Sequence, residues 1–379
     1  ERLETITSGL NFNIAISTKN NLFAWGDNKH CQCSKNKDHK LIREPKAIPH
    51  QDLHFEKGEV AKKLFCGQAH SFIITSLNNI YSWGLNKFGQ CGLEHTIPVE
   101  QPTQLTFFIQ HLSESEHVID LYTQGHTSFA LTNKGVLYAW GWNLQGQCGL
   151  GHKEVLVDVP TKVDYFCQKK LTISKCATGF LHTIVLTTNG LLFSWGFEKD
   201  LANEVPHQVS INLAKDDIII DLFAAGGHSL ALTSSHQLYI WGLNDSGQCG
   251  LTNIKDVVSP TLLSFPSFSK SEHVSRVFTG LGHSMIITSL GNIYAWGCNE
   301  YGQCCTENTD DQITIPTKVV LDKILSPHDS VDDLILGAGH VIVKTTLKEF
   351  YSVGWNESGQ LGQSSTNQCI RQPTKLIKI

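Results

Sequence analysis

One phrase returns seven times along this chain, and the return limits what the chain can fold into more than any other feature. The phrase is aliphatic–aromatic–small–Trp–Gly: LFAWG at 22–26, IYSWG at 80–84, LYAWG at 137–141, LFSWG at 192–196, LYIWG at 238–242, IYAWG at 293–297 and FYSVG at 350–354. Its glycines are spaced 58, 57, 55, 46, 55 and 57 residues apart. A period held from end to end marks a repeat architecture, in which each unit buries its apolar face against its neighbours.

Each repeat reads as strand and turn in alternation. Upstream of the phrase stands G-x-x-H and then apolar residues and Thr, as in Gly67-Gln-Ala-His70-Ser-Phe-Ile-Ile-Thr75 and Gly280-Leu-Gly-His283-Ser-Met-Ile-Ile-Thr288. A short turn such as Asn133-Lys134-Gly135 separates this strand from the next, the spacing of an antiparallel pair. After Trp-Gly comes Asn-x-x-Gly-Gln-x-Gly, as at Asn244–Gly250, a polar turn in which Gly supplies positive φ and Asn bonds local backbone. A variable loop then leads to Pro-Thr and an aliphatic residue, as at Pro102–Leu105, Pro160–Val163, Pro316–Val319 and Pro373–Leu376. Proline suits the start or the edge of a strand.

Four short strands per repeat, with little helical periodicity, predict an all-β chain: a seven-bladed β-propeller of four-stranded antiparallel blades closed into a ring. The rival is a linear solenoid. It would need atypical polar end repeats, whereas the first and last repeats here are both nearly complete. Closure is expected to pair Glu1–Ser8 with Lys375–Ile379. At about 54 residues per repeat, one domain over 1–379 accounts for the whole chain. The repeats run approximately 1–58, 59–115, 116–170, 171–214, 215–271, 272–328 and 329–379.

Composition narrows the function. The formal charge of −5, with no basic tail, carries no nucleic-acid footprint. No apolar run approaches a membrane span. There is no signal peptide pattern, and the chain opens on Glu1 rather than Met, as in a trimmed piece or one domain of a longer protein. Of the twelve cysteines, Cys33, Cys91, Cys148, Cys249 and Cys304 share one repeat position, occupied by Leu361 in the last repeat. A position that exchanges Cys with Leu is an apolar packing site, which reads as reduced thiols and an intracellular chain. Cys31-Gln-Cys33 and Cys304-Cys305 lack a partner pair at zinc spacing, so no metal is expected. Neither a phosphate-binding loop nor a dinucleotide fingerprint is present, and no nucleophile motif points to a hydrolase or transferase; no cofactor is expected. Asn356-Glu357-Ser358 matches a glycosylation acceptor but lies inside a structural turn.

Departures from the pattern are few. Repeat one has Phe12 where most others have His, and its turn, Asn28–Ser34, has lost both glycines. Repeat three carries Gly125-His126 out of step. Ser113–Val118 before repeat three matches Ser269–Val274 before repeat six, which supports the register. Repeat seven has Val353 in place of Trp. Repeat four departs most: after Trp195-Gly196 the Asn-x-x-Gly-Gln-x-Gly turn is missing, and Phe197-Glu198-Lys199-Asp200-Leu201-Ala202-Asn203-Glu204-Val205 runs directly to Pro206.

The combined pattern G-x-x-H-[ST]-x-x-[IL]-T, [LI]-[YF]-x-W-G-x-N-x-x-G-Q-x-G and P-x-x-[VIL] resembles the regulator of chromosome condensation repeat family over essentially the whole chain. The resemblance implies a seven-bladed propeller. The founding member of the family is the guanine-nucleotide exchange factor for the small GTPase Ran; other members are scaffolds, light sensors, ligase substrate-recognition domains and bacterial effectors that act on host Ran. Membership fixes fold better than function. In the founding exchange factor an irregular hairpin replaces the turn after one Trp-Gly strand and wedges against the phosphate-binding region of the GTPase. The corresponding segment here is Phe197–Val205, shorter and more acidic than the family wedge.

The resemblance therefore implies an intracellular, cytoplasmic or nuclear protein, or an effector in a host cytosol, that binds a Ran-like small GTPase as a monomer and promotes nucleotide release. Phe197, Glu198, Lys199, Asp200, Asn203 and Glu204 are the candidate contacts. Carboxylates there would repel phosphate and compete for the lysine of the GTPase, with no covalent catalysis and no catalytic triad. The plain alternative is a shortened loop with solvated charges. A second functional class is a non-catalytic interaction scaffold using the variable loops Phe107–Val118, Asp164–Lys175 and Leu263–Val274. A chromatin role is weakened by the acidic balance. The recurring His70, His182, His228, His283 and His340 read as structural, each bonding neighbouring backbone to fix its turn; the Trp residues read as packing between blades, and the Asn and Gln as turn scaffolding.

Overall fold

Each repeat folds into its own four-stranded antiparallel sheet, with strands in sequence order, to give seven sheets in all. The architecture is a seven-bladed β-propeller. The computed structural model describes residues 1–35, 39–198, 201–321, 324–325 and 328–376, apart from the side chains of 198 and 201. The chain groups into two compact units: the described residues of 1–208 with 358–364, and those of 209–357 with 365–377. The first holds the sheets of repeats one to four, and the second those of repeats five to seven.

The second strand of each repeat is the most deeply set. His70–Thr75, Thr127–Thr132 and His283–Thr288 are buried at every position, whereas first strands such as Ala61–Cys66 mix buried and exposed residues. A strand covered on both faces reads as a nearly continuous apolar run, and this is the core of each blade. In the second unit one cluster joins Leu230, Ile240, Met285, Trp296, Val341 and Val353.

Local sterics explain two recurring words. The glycine of Trp-Gly has φ near +105° in Gly84, Gly141 and Gly297, and a Cβ at Gly84 would come within 2.5 Å of the Ala69 carbonyl oxygen. Only glycine fits there. In G-x-x-H the imidazole folds over the glycine: a Cβ on Gly67 would lie 2.2 Å from the His70 ring, and one on Gly9 2.1 Å from the Phe12 ring. Phe12 is thus a shape substitute for His. The prolines sit in the outermost strand at an irregularity, as between the pairs Ser82–Thr103 and Gly84–Val99, where a missing N–H does no harm.

Of the pairing expected between Glu1–Ser8 and Lys375–Ile379, residues 377–379 lie outside the described residues. Leu3–Ser8 pairs with Phe12–Ser17, and Cys369–Lys375 with Phe350–Trp355, so both end repeats carry four strands in phase. Inside the first unit the first and last repeats are linked by side chains: the Gln360 carbonyl accepts from Asn13 Nδ2 at 2.8 Å and from Trp25 Nε1 at 3.1 Å.

Two of the variable loops hold short helices, Phe107–His111 and Asp164–Gln168. They seat Phe108 and Phe166 against Trp140 and Trp195, at ring distances of 6.1 and 5.9 Å.

Candidate partner-binding site

The turn after Trp-Gly is built by two amides. Asn86 Oδ1 accepts the Cys91 N–H at 2.8 Å, while its Nδ2 donates to the carbonyls of His95 at 2.7 Å and Ile97 at 3.1 Å. Gln90 Oε1 accepts the Phe88 N–H at 2.9 Å. The same bonds recur around Asn143, Asn244, Asn299 and Asn356. The polar residues of the motif are therefore scaffolding. The glutamine has a further use that the sequence reading did not assign: its main-chain carbonyl accepts the indole N–H of the following repeat. Trp83 bonds Gln32 at 2.9 Å, Trp140 bonds Gln90 at 2.9 Å, Trp195 bonds Gln147 at 2.8 Å and Trp296 bonds Gln248 at 2.8 Å. The common recurrence of Gln and Trp, offset by one repeat, was the available signal.

Repeat four lacks this construction. In the other six sheets thirteen or fourteen residues separate the third strand from the fourth, as from Gly84 to Val99; in the fourth, strand Leu192–Glu198 is followed by strand Leu201–Val209. Phe197 is 36% exposed, and its N–H donates to the Leu181 carbonyl at 2.8 Å. Asn203 is half-buried and Val205 is exposed. Glu204 is engaged by repeat three: Lys153 Nζ lies 3.2 Å from Oε2, and the Glu204 main-chain carbonyl accepts the Gly151 N–H at 2.9 Å. A Cβ on Gly146 would come within 2.5 Å of the Glu204 Cα, so the turn of repeat three rests on this strand. Local backbone hydrogen bonding and Lys153 hold the Glu204 carboxyl below its ordinary range. Of the other candidates, Lys199 and Asp200 lie outside the described residues, as does the Glu198 side chain.

The repeated histidines are buried, and in His70 and His228 the bond runs to a side chain of the next repeat rather than to backbone of their own turn, whereas neither ring nitrogen of His283 has a partner among the described residues. His70 Nε2 lies 2.9 Å from Ser128 Oγ, whose proton goes to the Gln90 carbonyl at 2.9 Å; His70 is therefore the donor. His228 makes the same contact to Ser284 at 2.8 Å. Burial pushes His70 and His283 down to about 3 and His340 to about 4, so all three are neutral at physiological pH. In repeat three Thr127 takes the histidine place, opposite Gly141. The displaced His126 packs on Phe88, 5.0 Å between centroids, and burial lowers it to about 4.

None of the twelve cysteines is in a disulfide. The five at the repeat position, and Leu361, are buried, with Cys91 Sγ 3.6 Å from the Leu85 carbonyl. Burial pushes their thiols up, Cys249 to about 12, which leaves them unreactive. Among the described residues no three His, Cys, Asp or Glu side chains gather where they could hold a metal, and no helix is long and apolar enough to cross a membrane.

The pattern described as the regulator of chromosome condensation (RCC1) repeat matches residues 78–127, 134–186, 235–287 and 291–343, more than half of the chain. The chain belongs to the regulator of chromosome condensation repeat family. Among relatives in this family, the ultraviolet-B receptor UVR8 of Arabidopsis thaliana is 29% identical over 80% of this chain and 66% of its own length. The RCC1-like G exchanging factor-like protein of Mus musculus is 26% identical over 92% of this chain and 77% of its own. The chain thus spans just under two thirds of the first relative and about three quarters of the second. Among solved structures, Prp20p of Saccharomyces cerevisiae, described with its binding to Gsp1p and histones, superposes with a TM-score of 0.77 at 22% identity, covering 100% of this chain and 87% of Prp20p. Human WBSCR16 gives 0.75 at 22%, over 90% and 87%. At that identity the likeness speaks for the fold alone.

Proposed function

We propose that this protein binds a Ran-like small GTPase and promotes release of its guanine nucleotide, with the fourth repeat as the contact. The observation that carries the reading is the fourth sheet's connection. Among the described residues it is the one sheet of this chain in which strand Leu192–Glu198 gives way to strand Leu201–Val209 without the Asn-x-x-Gly-Gln-x-Gly turn, with Phe197 36% exposed beside it. Family relatives named as exchange factors support the reaction class, and a relative described with binding to Gsp1p supports the partner class. An exchange factor need only stabilise the nucleotide-free GTPase. Phe197 supplies an apolar wedge, while Glu198 and Asp200 oppose phosphate and attract the lysine that held it. Glu204 contributes least, because Lys153 already engages it. The same proposal takes residues 1–379 as one propeller domain, monomeric and intracellular.

The test is release of labelled GDP from a panel of GTPases that includes Ran. Acceleration at micromolar propeller is expected, with Glu198→Lys and Asp200→Lys each slowing release at least tenfold and Glu204→Gln leaving it within twofold. No acceleration of any GTPase removes the exchange reading. The second reading, a non-catalytic scaffold, is favoured by a relative named as a receptor rather than as an exchange factor. GTPase binding that ignores nucleotide state, without faster release, would establish it.

A further inference from the structure

A relay of side chains ties one repeat to the next. Between repeats five and six, His228 Nε2 lies 2.8 Å from Ser284 Oγ, and the Gln248 carbonyl in the turn of repeat five accepts the Trp296 indole N–H at 2.8 Å. Between repeats two and three the same places hold His70, Ser128, Gln90 and Trp140, with bonds of 2.9 Å throughout. Between repeats six and seven, repeat seven supplies neither of its members. Val341 stands opposite Val353 in the strand pairing, where other repeats set Ser128 opposite Trp140 and Ser284 opposite Trp296. His283 is fully buried, and neither of its ring nitrogens has a partner among the described residues. A buried polar group without a partner is costly.

Cys305 records the same loss from the other side of the contact. It occupies the place of the second glycine in the turn of repeat six, and its φ is +55°, in the left-handed region where Gly92, Gly149 and Gly250 also lie. A Cβ on Gly92 would come within 2.9 Å of Trp140 Nε1, and one on Gly149 within 2.7 Å of Trp195 Nε1. A side chain is admitted at 305 because Val353, not an indole, stands across from it. Its thiol lies 3.6 Å from the Gln303 carbonyl, the acceptor that serves an indole elsewhere. The left-handed backbone is disfavoured for a residue with a Cβ. Three departures thus fall on one contact: an unpaired imidazole, an absent indole bond and a left-handed cysteine. Val341 and Val353 pack in the apolar core of the second unit, so burial holds this contact without the relay. Both repeats belong to that unit over these residues.

We propose that this contact is the seam at which the second unit opens, repeat seven parting from repeat six while five and six stay joined, and that opening uncovers the adjacent thiols Cys304 and Cys305 to soft electrophiles. Regions of a fold open locally where the fewest specific bonds hold them. The turn that carries both thiols is laid on repeat seven: a Cβ on Gly302 would come within 3.0 Å of the Arg371 Cα. In the closed form Cys304 is fully buried and Cys305 is 8% exposed. The proposal does not depend on GTPase exchange.

The experiment treats the native whole chain with timed pulses of iodoacetamide and reads each cysteine by peptide mapping. The sulfur displaces iodide, and the thiol proton passes to the buffer. Cys304 and Cys249 share one repeat position and are both fully buried, so their rates compare the two contacts directly. Cys304 is expected to react at least tenfold faster than Cys249; equal rates overturn the proposal. Two variants restore the relay by different routes. Val341→Ser returns a partner to His283, and Cys305→Gly combined with Val353→Trp returns an indole to the Gln303 carbonyl. Each variant that melts as a folded protein is expected to slow Cys304 at least fivefold and to leave Cys249 within twofold. A Cys304 rate that is unchanged or raised in a folded variant overturns the seam, and where a variant does not fold the comparison with Cys249 in the unsubstituted chain decides.

Discussion

Trp140 and Trp241 stand at the same place in two repeats, and among the described residues they differ by one hydrogen bond, from Trp140 to the Gln90 carbonyl. Substitution by Phe removes similar volume from both, so the difference between the two variants isolates that bond. Trp140→Phe is expected to cost about 1 kcal/mol more than Trp241→Phe in urea unfolding, the net worth of a neutral hydrogen bond. Equal costs would mean that the Gln90 carbonyl is indifferent to its indole partner. At this scale the sequence showed that Trp, His and Cys serve structure, because each recurs in phase and because Cys exchanges with Leu361 and His with Phe12. It did not show which atoms they bond. His70 reaches Ser128, fifty-eight residues on, and no local pattern states that distance.

The turns are elements that serve the repeat after their own. Gly146 shows how tightly: its φ is +75°, and a Cβ would meet the Glu204 Cα at 2.5 Å. Gly146→Ala is expected to destabilise by about 2–4 kcal/mol through left-handed strain and the clash with backbone. Gly151→Ala, where a Cβ would meet nothing, should cost clearly less, and paired urea titrations decide. The missing turn of repeat four was legible from spacing alone, since the period drops there to 46. The capture of Glu204 by Lys153 was not, because it depends on a turn some fifty residues upstream in sequence being laid on that strand. Three acidic residues in a row of nine read as one patch; the fold engages Glu204 through Lys153.

For the molecule as a whole, burial of neutral histidines makes stability depend on pH. His70, His126, His283 and His340 have folded values of about 3 to 4, below the ordinary value near 6.5. Between those limits the unfolded chain binds protons that the folded chain refuses, so stability rises with pH there and is complete above about 6.5. Each histidine contributes a slope of about 1.4 kcal/mol per pH unit in the window. The urea midpoint is expected to fall steeply from pH 6.5 to pH 4.5, and less steeply in His283→Gln; a flat profile would contradict neutral burial. Carboxyls of Glu59, Glu272 and Asp329, held below their ordinary range by hydrogen bonds against the opposing effect of burial, add loss of the same sign at still lower pH. The seven-repeat design was plain in the sequence, while the bonds from Asn13 and Trp25 to the Gln360 carbonyl were not, because no local pattern states a contact between the first repeat and the last. That link makes the tail costly to shorten: because Gln360 serves Asn13 and Trp25, deleting the last repeat would strip the first of the acceptor for two buried donors.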